Sequence, residues 1–260
     1  MDILADLADE YAALDALVAD LDAAGLDTLT PAEGFTVRDE LSHLAFSEEL
    51  ASLAALDADA FRAKLDDLLA DLLSAEGGPK LRAASMAPAE LIGWWRTERQ
   101  RTLDALRAHA VTDRIPWVVG DMSVTSFATA RLMETWAHGQ DVVDALGLDR
   151  APTARLRHIA ELGVRTRGFS YAVRGMAKPD ADVRVALTGP DGDAWEWGAP
   201  DAADSVTGPA LDFCLVVTQR RHVLDTALEV TGAAADEWMA IAQAFAGPPT
   251  DGRPAGSFPR

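Results

Sequence analysis

Apolar side chains recur every three or four residues along most of the first 150 positions of the chain. This spacing places them on one face of a helix, so it predicts a series of amphipathic α-helices. Stretches that contain glycine and proline separate the segments, as is typical of helix ends. The predicted helices cover residues 3–21, 37–56, 57–74, 89–110 and 123–146, with a break at residues 76–79. Long helices joined by polar loops favour an up-and-down four-helix bundle over residues 1–150.

The pattern changes in the second half of the chain. The composition shifts near Pro152, which we interpret as the boundary between residues 1–150 and a second domain of residues 151–260. Residues 183–187 and 194–197 alternate between apolar and polar, and the glycine- and proline-containing turn between them predicts a β-hairpin. The remaining predicted elements are helices over residues 153–172, 204–228 and 234–246. The second domain is therefore expected to be a smaller α+β domain.

Charge and cysteine content limit the classes of partner. The formal net charge of −19 argues against nucleic acids and anionic membranes, because both attract basic surfaces. The chain opens on an acidic amphipathic pattern, so we expect no signal peptide, no membrane span and a cytoplasmic location. The single cysteine, Cys214, lies in an apolar run and is expected to be buried. One cysteine permits neither an intramolecular disulfide nor a thiolate-rich zinc site.

A candidate metal site lies in the helix predicted over residues 123–146. Glu134 and His138 are four residues apart and share one face of this helix, and Asp141 points the same way two turns after Glu134. One carboxylate and one imidazole at this spacing can bind a single divalent ion. Taken alone, such a pair is more often an acid–imidazole contact on a solvated helix surface.

His43 is the third candidate ligand. It lies in the second turn of the helix predicted over residues 37–56, and helical bundles build metal sites from residues on facing helices. Two histidines and one glutamate leave one coordination position open, which is typical of a catalytic zinc site. His109, at the end of its helix, is expected to cap that end. The alternative is that His43 is an ordinary core histidine and that no metal binds.

Two motifs resemble those of a known family. The segment Phe35-Thr36-Val37-Arg38-Asp39, followed by His43-Leu44, resembles the signature that opens the second helix of DinB-like metal-binding bundles. Glu134-x-x-x-His138-x-x-Asp141 is similar to the late-helix motif of the mycothiol-dependent maleylpyruvate isomerase branch of that superfamily. The resemblance implies a DinB-like bundle that binds a divalent metal through His43, Glu134 and His138. Zinc is the expected metal, and nickel is the alternative.

The second half of the chain resembles the same branch. The hairpin, residues 206–212 and the pair Gln219-Arg220 are similar to its sterol-carrier-like C-terminal domain. The pattern of that domain has Gly-Arg where this chain has Gln219-Arg220, and its arginine faces the metal site. The resemblance therefore implies that Arg220 has this role, and Arg221 is a rival because the glycine is missing.

The resemblance implies a transferase or isomerase that uses a low-molecular-weight thiol, such as mycothiol, on a small electrophilic substrate. A thiol at the open metal position would be deprotonated, so the nucleophile would not require a cysteine of the protein. Arg220 would hold a carboxylate or enolate of the substrate through bidentate hydrogen bonds. Asp141 would orient an imidazole or contact the thiol. Arg220 and Asp141 are thus the candidate catalytic residues.

Other functions stay open on the sequence. One is a hydrolase that uses metal-activated water, and another is a non-catalytic module that holds a small molecule or lipid while the metal clamps the bundle. Trp195 and Trp197, on one strand face, would line such a pocket, although strand tryptophans are more often core residues. The motifs fit an uncharacterised metal-binding subfamily better than the isomerase, so its substrate does not carry over. Both a monomer and a homodimer are compatible with the sequence.

Overall fold

The structure is a computed structural model that describes residues 2–73, 78–110 and 112–258. The chain divides into two compact units, Met1–Arg150 and Ala151–Arg260. Helices predominate, and they are accompanied by a small mixed sheet, so the fold is α+β. Within the described ranges, no helix combines the length and the apolar character that crossing a membrane requires.

The first unit is built from helices and one short hairpin. The helices are α1 (Ile3–Val18), α2 (Ala23–Leu26), α3 (Val37–Leu56), α4 (Ala58–Leu73), α5 (Gly78–Ala84), α6 (Pro88–Ala108) and α7 (Val124–Leu146). The hairpin pairs β1 (Arg114–Ile115) with β2 (Met122–Ser123) in antiparallel orientation. Helix α3 packs against α6 and α7, and α1 packs against the same two helices. Apolar side chains from these helices, among them Leu7, Leu14, Leu41, Trp95 and Leu132, are fully buried.

Local sequence sets the ends of the two helices that matter most for the candidate site. A capping box is present at the start of α3, where Asp39 Oδ2 accepts a 2.8 Å hydrogen bond from the backbone N–H of Thr36. At the start of α7, the Ser123 side chain accepts a hydrogen bond from the backbone N–H of Ser126. Helix α7 ends at Gly147, which adopts a left-handed backbone with a φ of 62°.

The second unit places four strands beside short helices. Its helices are α8 (Leu156–Arg165), α9 (Arg167–Ala172), α10 (Ala210–Val217) and α11 (Ala233–Ile241), with a 3₁₀ turn at Val223–Asp225. Its strands are β3 (Val183–Thr188), β4 (Ala194–Trp197), β5 (Asp204–Pro209) and β6 (Glu229–Thr231). The sheet order is β4-β3-β5-β6, in which β3 and β5 are parallel and the other pairs are antiparallel. The predicted hairpin of β3 and β4 is confirmed, and Cys214 is buried as expected.

The predicted helix over residues 204–228 is wrong in its first and last parts. Residues 204–209 form β5, which pairs in parallel with β3, and only Ala210–Val217 is helical before the 3₁₀ turn. Val206 and Thr207 are β-branched and suit a strand. Gly208 adopts a φ of 137°, which a helix excludes, and Pro209 then sits at the N-cap of α10. The residue types of this segment therefore agree with the strand that pairs with β3, whereas its hydrophobicity alone does not distinguish a strand from a helix.

Other boundaries also differ from the predictions. The helix expected over residues 153–172 is divided at Thr166, whose hydroxyl donates to the carbonyl oxygen of Leu162. The sequence did not predict the hairpin of β1 and β2, which lies in a stretch expected to be a loop. The break predicted at residues 76–79 falls partly on residues 74–77, outside the described part of the chain, whereas Gly78 and Pro79 begin α5.

Candidate metal centre

The three residues predicted as metal ligands lie together where α3 packs against α7. Glu134 Oε2 is 3.6 Å from His43 Nε2 and 3.4 Å from His138 Nε2. The ligand atoms of the three residues all lie within 4.8 Å of one another. The two imidazole rings face each other, with centroids 4.4 Å apart and planes tilted by 38°. Both Nε2 atoms therefore converge on one carboxylate oxygen.

Helix geometry explains the arrangement. Glu134 and His138 are one turn apart on α7, so their side chains leave the same face. The capping box fixes where α3 starts and so places His43 in its second turn. The exposed fractions of the three side chains are 23% for His43, 18% for Glu134 and 15% for His138. They are half-buried, so they belong neither to a solvated helix surface nor to the closed core.

The separations between the ligand atoms fit a metal site better than direct hydrogen bonds. An N–H···O hydrogen bond is typically about 2.9–3.0 Å long, and both contacts of Glu134 Oε2 are longer than that. Ligands at about 2.1 Å from a tetrahedral zinc ion are about 3.4 Å from one another. Two imidazole nitrogens and one carboxylate oxygen are also donors that zinc and other divalent transition metals accept. The residues present therefore fit a divalent metal ion.

Electrostatics keep the donor groups in the forms that bind metals. Burial raises the pKa of Glu134, but the imidazoles of His138 and His43 and the guanidinium of Arg131 outweigh it and hold that pKa well below its usual range. Burial, together with the neighbouring His138, lowers the pKa of His43. An ionised carboxylate and a neutral imidazole are the ligand forms that metals require, so these shifts favour binding at neutral pH.

The sequence missed Glu40, a fully buried residue of α3. His138 Nδ1 lies 2.6 Å from Glu40 Oε2, on the side of the ring opposite Nε2. Asp141 is also buried, and its carboxylate forms a second cluster with Glu40 and His138 within 4.8 Å. The spacing of Glu40 and His43 could have identified it, since residues three apart lie near the same face of a helix. The role of Asp141 stays a prediction.

A buried ion pair lies one turn before Glu134 on α7. Arg131 Nε donates to Glu48 Oε1 of α3 at 3.0 Å, and the side chains are 3% and 0% exposed. The charge of Arg131 also acts on Glu134, as the lowered pKa of that carboxyl indicates. The pair therefore links α3 to α7 and adds positive charge beside the candidate site.

Arg220 belongs to the second unit, shortly after α10. Its guanidinium Nη1 donates to the carbonyl oxygen of Thr218 at 2.7 Å. Gln219 directly before it adopts a left-handed backbone with a φ of 61°, a conformation that glycine adopts without steric cost. The backbone at this position thus suits the glycine of the Gly-Arg pattern, which favours Arg220 over Arg221 as the matching arginine. The role of Arg220 stays a prediction.

Two curated relatives share most of this chain. Proteins from two strains of Mycobacterium tuberculosis, each described as an uncharacterized protein, are 44% identical to it over 250 residues. The match covers 96% of this chain and 97% of each relative.

Solved structures show the same fold. The crystal structure of the mycothiol-dependent maleylpyruvate isomerase superposes with a TM-score of 0.57, and that of a variant with a histidine replaced by alanine superposes with a TM-score of 0.56. Each match covers 84% of this chain and 88% of the other, at 14% identity. At this identity, the likeness shows the fold alone.

Family models match both halves of the chain. Residues 179–231 match the model described as wyosine base formation. Residues 7–143, more than half of the chain, match the model described as the mycothiol maleylpyruvate isomerase N-terminal domain. This match confirms the resemblance that the motifs around His43 and Glu134 predicted. The chain therefore belongs to the mycothiol maleylpyruvate isomerase N-terminal domain family.

Proposed function

We propose that this protein binds a divalent metal through His43, Glu134 and His138 and acts as a thiol-dependent transferase or isomerase on a small electrophile. The observation that carries the proposal is the convergence of two Nε2 atoms on one carboxylate oxygen, at 3.4 and 3.6 Å, in a half-buried position. The proposed architecture of the first unit is the DinB-like up-and-down four-helix bundle, with the site between α3 and α7.

The donor set limits the proposed metal to a small group of divalent transition metals. Imidazole suits zinc, copper, iron and nickel, and a carboxylate is compatible with each of them, so the ligands alone do not select one metal. Zinc is the proposed ion, with nickel as the alternative, because a site with two histidines and one glutamate is a common catalytic zinc site. Such an ion, when bound, lowers the pKa of a thiol or water at its open position.

The thiol has to come from outside the chain. The single cysteine, Cys214, is fully buried in the second unit, and its thiol donates to the carbonyl oxygen of Leu156. Burial raises its pKa, so it is not a thiolate at neutral pH. A low-molecular-weight thiol such as mycothiol is the proposed cosubstrate, in line with the name of the family. Such a thiol requires a reducing compartment, which supports a cytoplasmic location.

Two further residues have proposed roles in the reaction. Arg220 would bind a carboxylate or enolate of the electrophile, since a guanidinium forms paired hydrogen bonds with two oxygens. The left-handed backbone of Gln219 supports the match of Arg220 to the arginine of the family pattern. Asp141 would either support the imidazole of His138 or contact the thiol, and its position in the cluster with Glu40 and His138 supports the first role.

The proposal is tested first by metal content. The purified protein should contain about one zinc or nickel ion per chain, and His138→Gln should lose it, because the donor set would fall to two ligands. His109→Gln is the matched control in the same unit. The His109 ring lies 2.8 Å from the Ala55 carbonyl oxygen, away from the cluster, and its replacement should leave metal content unchanged. Metal retained at full stoichiometry in His138→Gln would contradict the site.

Calorimetry then separates a thiol-dependent enzyme from a binding module. Titration of mycothiol into the metal-loaded protein should release heat, and removal of the metal with a chelator should abolish it. Fatty-acyl binding that persists after chelation, without any thiol binding, would instead support the non-catalytic module. Arg220→Met should leave metal and thiol binding intact and reduce turnover of a carboxylate-bearing electrophile.

A further inference from the structure

A chain of polar contacts supports the face of His138 that is turned away from Glu134. Thr30 Oγ1 donates to Glu40 Oε1 at 2.9 Å, and Glu40 Oε2 lies 2.6 Å from His138 Nδ1. Glu40 is fully buried, and His138 is only 15% exposed. On the other face of the ring, Nε2 is 3.4 Å from Glu134 Oε2. The two nitrogens of one imidazole therefore face two different carboxylates, one in close contact and one more distant.

These contacts determine which nitrogen carries the proton. A neutral imidazole has one N–H donor and one bare nitrogen, and an ionised carboxylate only accepts hydrogen bonds. The short contact with Glu40 therefore places the proton on Nδ1. The proton-free Nε2 then points towards Glu134 and His43, where a metal would bind. A proton on Nε2 would instead point towards Glu134, and Nε2 would then have no lone pair available for a metal.

We propose that Glu40 is a positioning residue that holds His138 in the Nδ1–H tautomer and so prepares Nε2 as a metal ligand. The inference rests on the proposed metal site, and it adds a residue that the sequence motifs did not mark. A carboxylate that accepts from the second nitrogen of a ligand histidine also raises the basicity of the ligand nitrogen.

Thr30, in the segment before α3, positions the Glu40 carboxylate through a hydrogen bond. Besides its bond to Glu40, Thr30 is fixed by its backbone N–H, which donates to the Phe35 carbonyl oxygen at 2.8 Å. Phe35 opens the segment Phe35-Thr36-Val37-Arg38-Asp39, which contains the capping box of Thr36 and Asp39. This segment therefore has two functions, because it starts α3 and also supports the carboxylate behind His138.

Asp141 is the competing candidate for this role, since its carboxylate is part of the same buried cluster. If Asp141 accepted the hydrogen bond from Nδ1–H, Asp141→Leu would disturb the tautomer and Glu40→Leu would not. The close contact is with Glu40, so we expect the reverse. Comparison of changes at these two residues separates the two roles.

The first experiment reads the tautomer without any metal. Two-bond ¹H–¹⁵N correlation spectra of the chelated, histidine-labelled full chain at about pH 8 distinguish Nδ1–H from Nε2–H rings. The signals of His138 are assigned with His138→Gln. Wild type and Glu40→Gln, which keeps an acceptor oxygen, should show Nδ1–H. Glu40→Leu should shift the ring towards Nε2–H, because Glu134 then offers the acceptor. An Nε2–H ring in wild type, or an unchanged ring in Glu40→Leu, overturns the proposal.

The second experiment measures metal affinity by competition with a chelating dye. Glu40→Leu should weaken zinc binding by about 100-fold and Glu40→Gln by about 10-fold, the range found for supporting partners of ligand histidines. Glu10, a buried carboxylate of α1 paired with Arg150, provides the matched control. Glu10→Gln should bind zinc as wild type does. Equal losses at Glu10 and Glu40 would show a general effect of removing a buried charge and overturn the proposal.

Two outcomes have to be kept distinct. If wild type binds no metal, the proposed function fails, but the tautomer spectra still decide the role of Glu40. If Glu40→Leu does not fold, Thr30→Val replaces it, because this change removes the hydroxyl that donates to Glu40 and leaves the Glu40 carboxylate in place. The same hydroxyl also contacts the Phe35 carbonyl oxygen and accepts from the Ala32 N–H, so the stability of this variant is measured alongside its zinc affinity. Thr30→Val should weaken zinc binding several-fold, and zinc affinities equal to wild type in both Thr30→Val and Glu40→Gln would overturn the proposal.

Discussion

Two clusters of oppositely charged or polar side chains join α3 to α7. They differ in the distance between their nitrogen and oxygen atoms and in their exposure to solvent. The Arg131–Glu48 pair is closed, with an N–O distance of 3.0 Å and almost no exposed surface. The His43–Glu134–His138 cluster is half-buried, and its nitrogen–oxygen contacts are 3.4 and 3.6 Å. The first centre brings two opposite charges to hydrogen-bond distance through Arg131 Nε and Glu48 Oε1. The second leaves room between its donors and access for solvent, which distinguishes a ligand site from a structural ion pair.

Removal of one partner of the closed pair should have the largest effect on stability. Arg131→Met leaves Glu48 as a buried charge without its guanidinium, so the free energy of unfolding should fall by about 3–5 kcal/mol. Urea unfolding in the presence of a chelator measures this loss. The variant should still bind zinc, because all three proposed ligands are present. A loss of stability below about 1 kcal/mol would mean that the pair is not the closed structural centre that its geometry indicates.

The proposed metal ligands should contribute little to stability without metal and more with it. In chelator, His43→Gln should change the free energy of unfolding much less than Arg131→Met does, because His43 is only half-buried. With zinc at 100 times its dissociation constant, wild type should gain about 2.7 kcal/mol, and His43→Gln should lose that gain. Thermal unfolding with and without zinc tests the difference. An equal zinc-dependent gain in both proteins would place the metal elsewhere.

The open cluster should also make the free energy of unfolding of the metal-free protein depend on pH. The pKa of His43 in the folded state lies below its usual value of 6.5, so the unfolded chain binds more protons at acid pH. The contribution of His43 to stability is therefore complete above pH 6.5 and is lost as the pH falls towards its folded pKa. Glu134 has a lowered pKa too, but its contribution is lost only below its usual value of 4.5.

Urea unfolding in chelator between pH 7.5 and 5.5 isolates the effect of His43. The free energy of unfolding of wild type should fall across this range more steeply than that of His43→Gln. If the slopes of wild type and His43→Gln are the same, His43 is not the source of the dependence.

The parts of this site that the sequence predicted are those set by local rules. Helix periodicity alone places Glu134 and His138 on one face, and the capping box at Thr36 fixes the turn of α3 that carries His43. Glu40 was not predicted because its partner lies 98 residues away in the chain and only tertiary packing brings them together. Asp141 lies three residues after His138, and this spacing alone predicts the same role for it. Local spacing therefore finds ligands on one helix, but it does not choose between carboxylates that fold against the same ring.

The same limit explains the error in the second unit. Residues 204–228 contain an apolar run long enough for a helix, and hydrophobicity alone does not separate a buried helix from a buried strand. The parallel pairing of β5 with β3 decides the first six residues, and that partner is distant in sequence. The hairpin of β3 and β4 was predictable because its turn and its alternation lie within one short segment.

The smallest effect should come from replacement of the whole closed pair. Glu48→Leu combined with Arg131→Met exchanges two buried charges for apolar side chains, so neither charge remains without its partner. Buried ion pairs replaced in this way are often neutral or even stabilising, and we expect a stability within about 1 kcal/mol of wild type. Zinc affinity should change only a few-fold, because a positive and a negative charge leave together. Glu134→Leu combined with His138→Leu, the corresponding change at the open cluster, should abolish zinc binding. If the first double variant also lost zinc, the two centres would form one functional unit, and the contrast between a structural pair and a ligand site would fail.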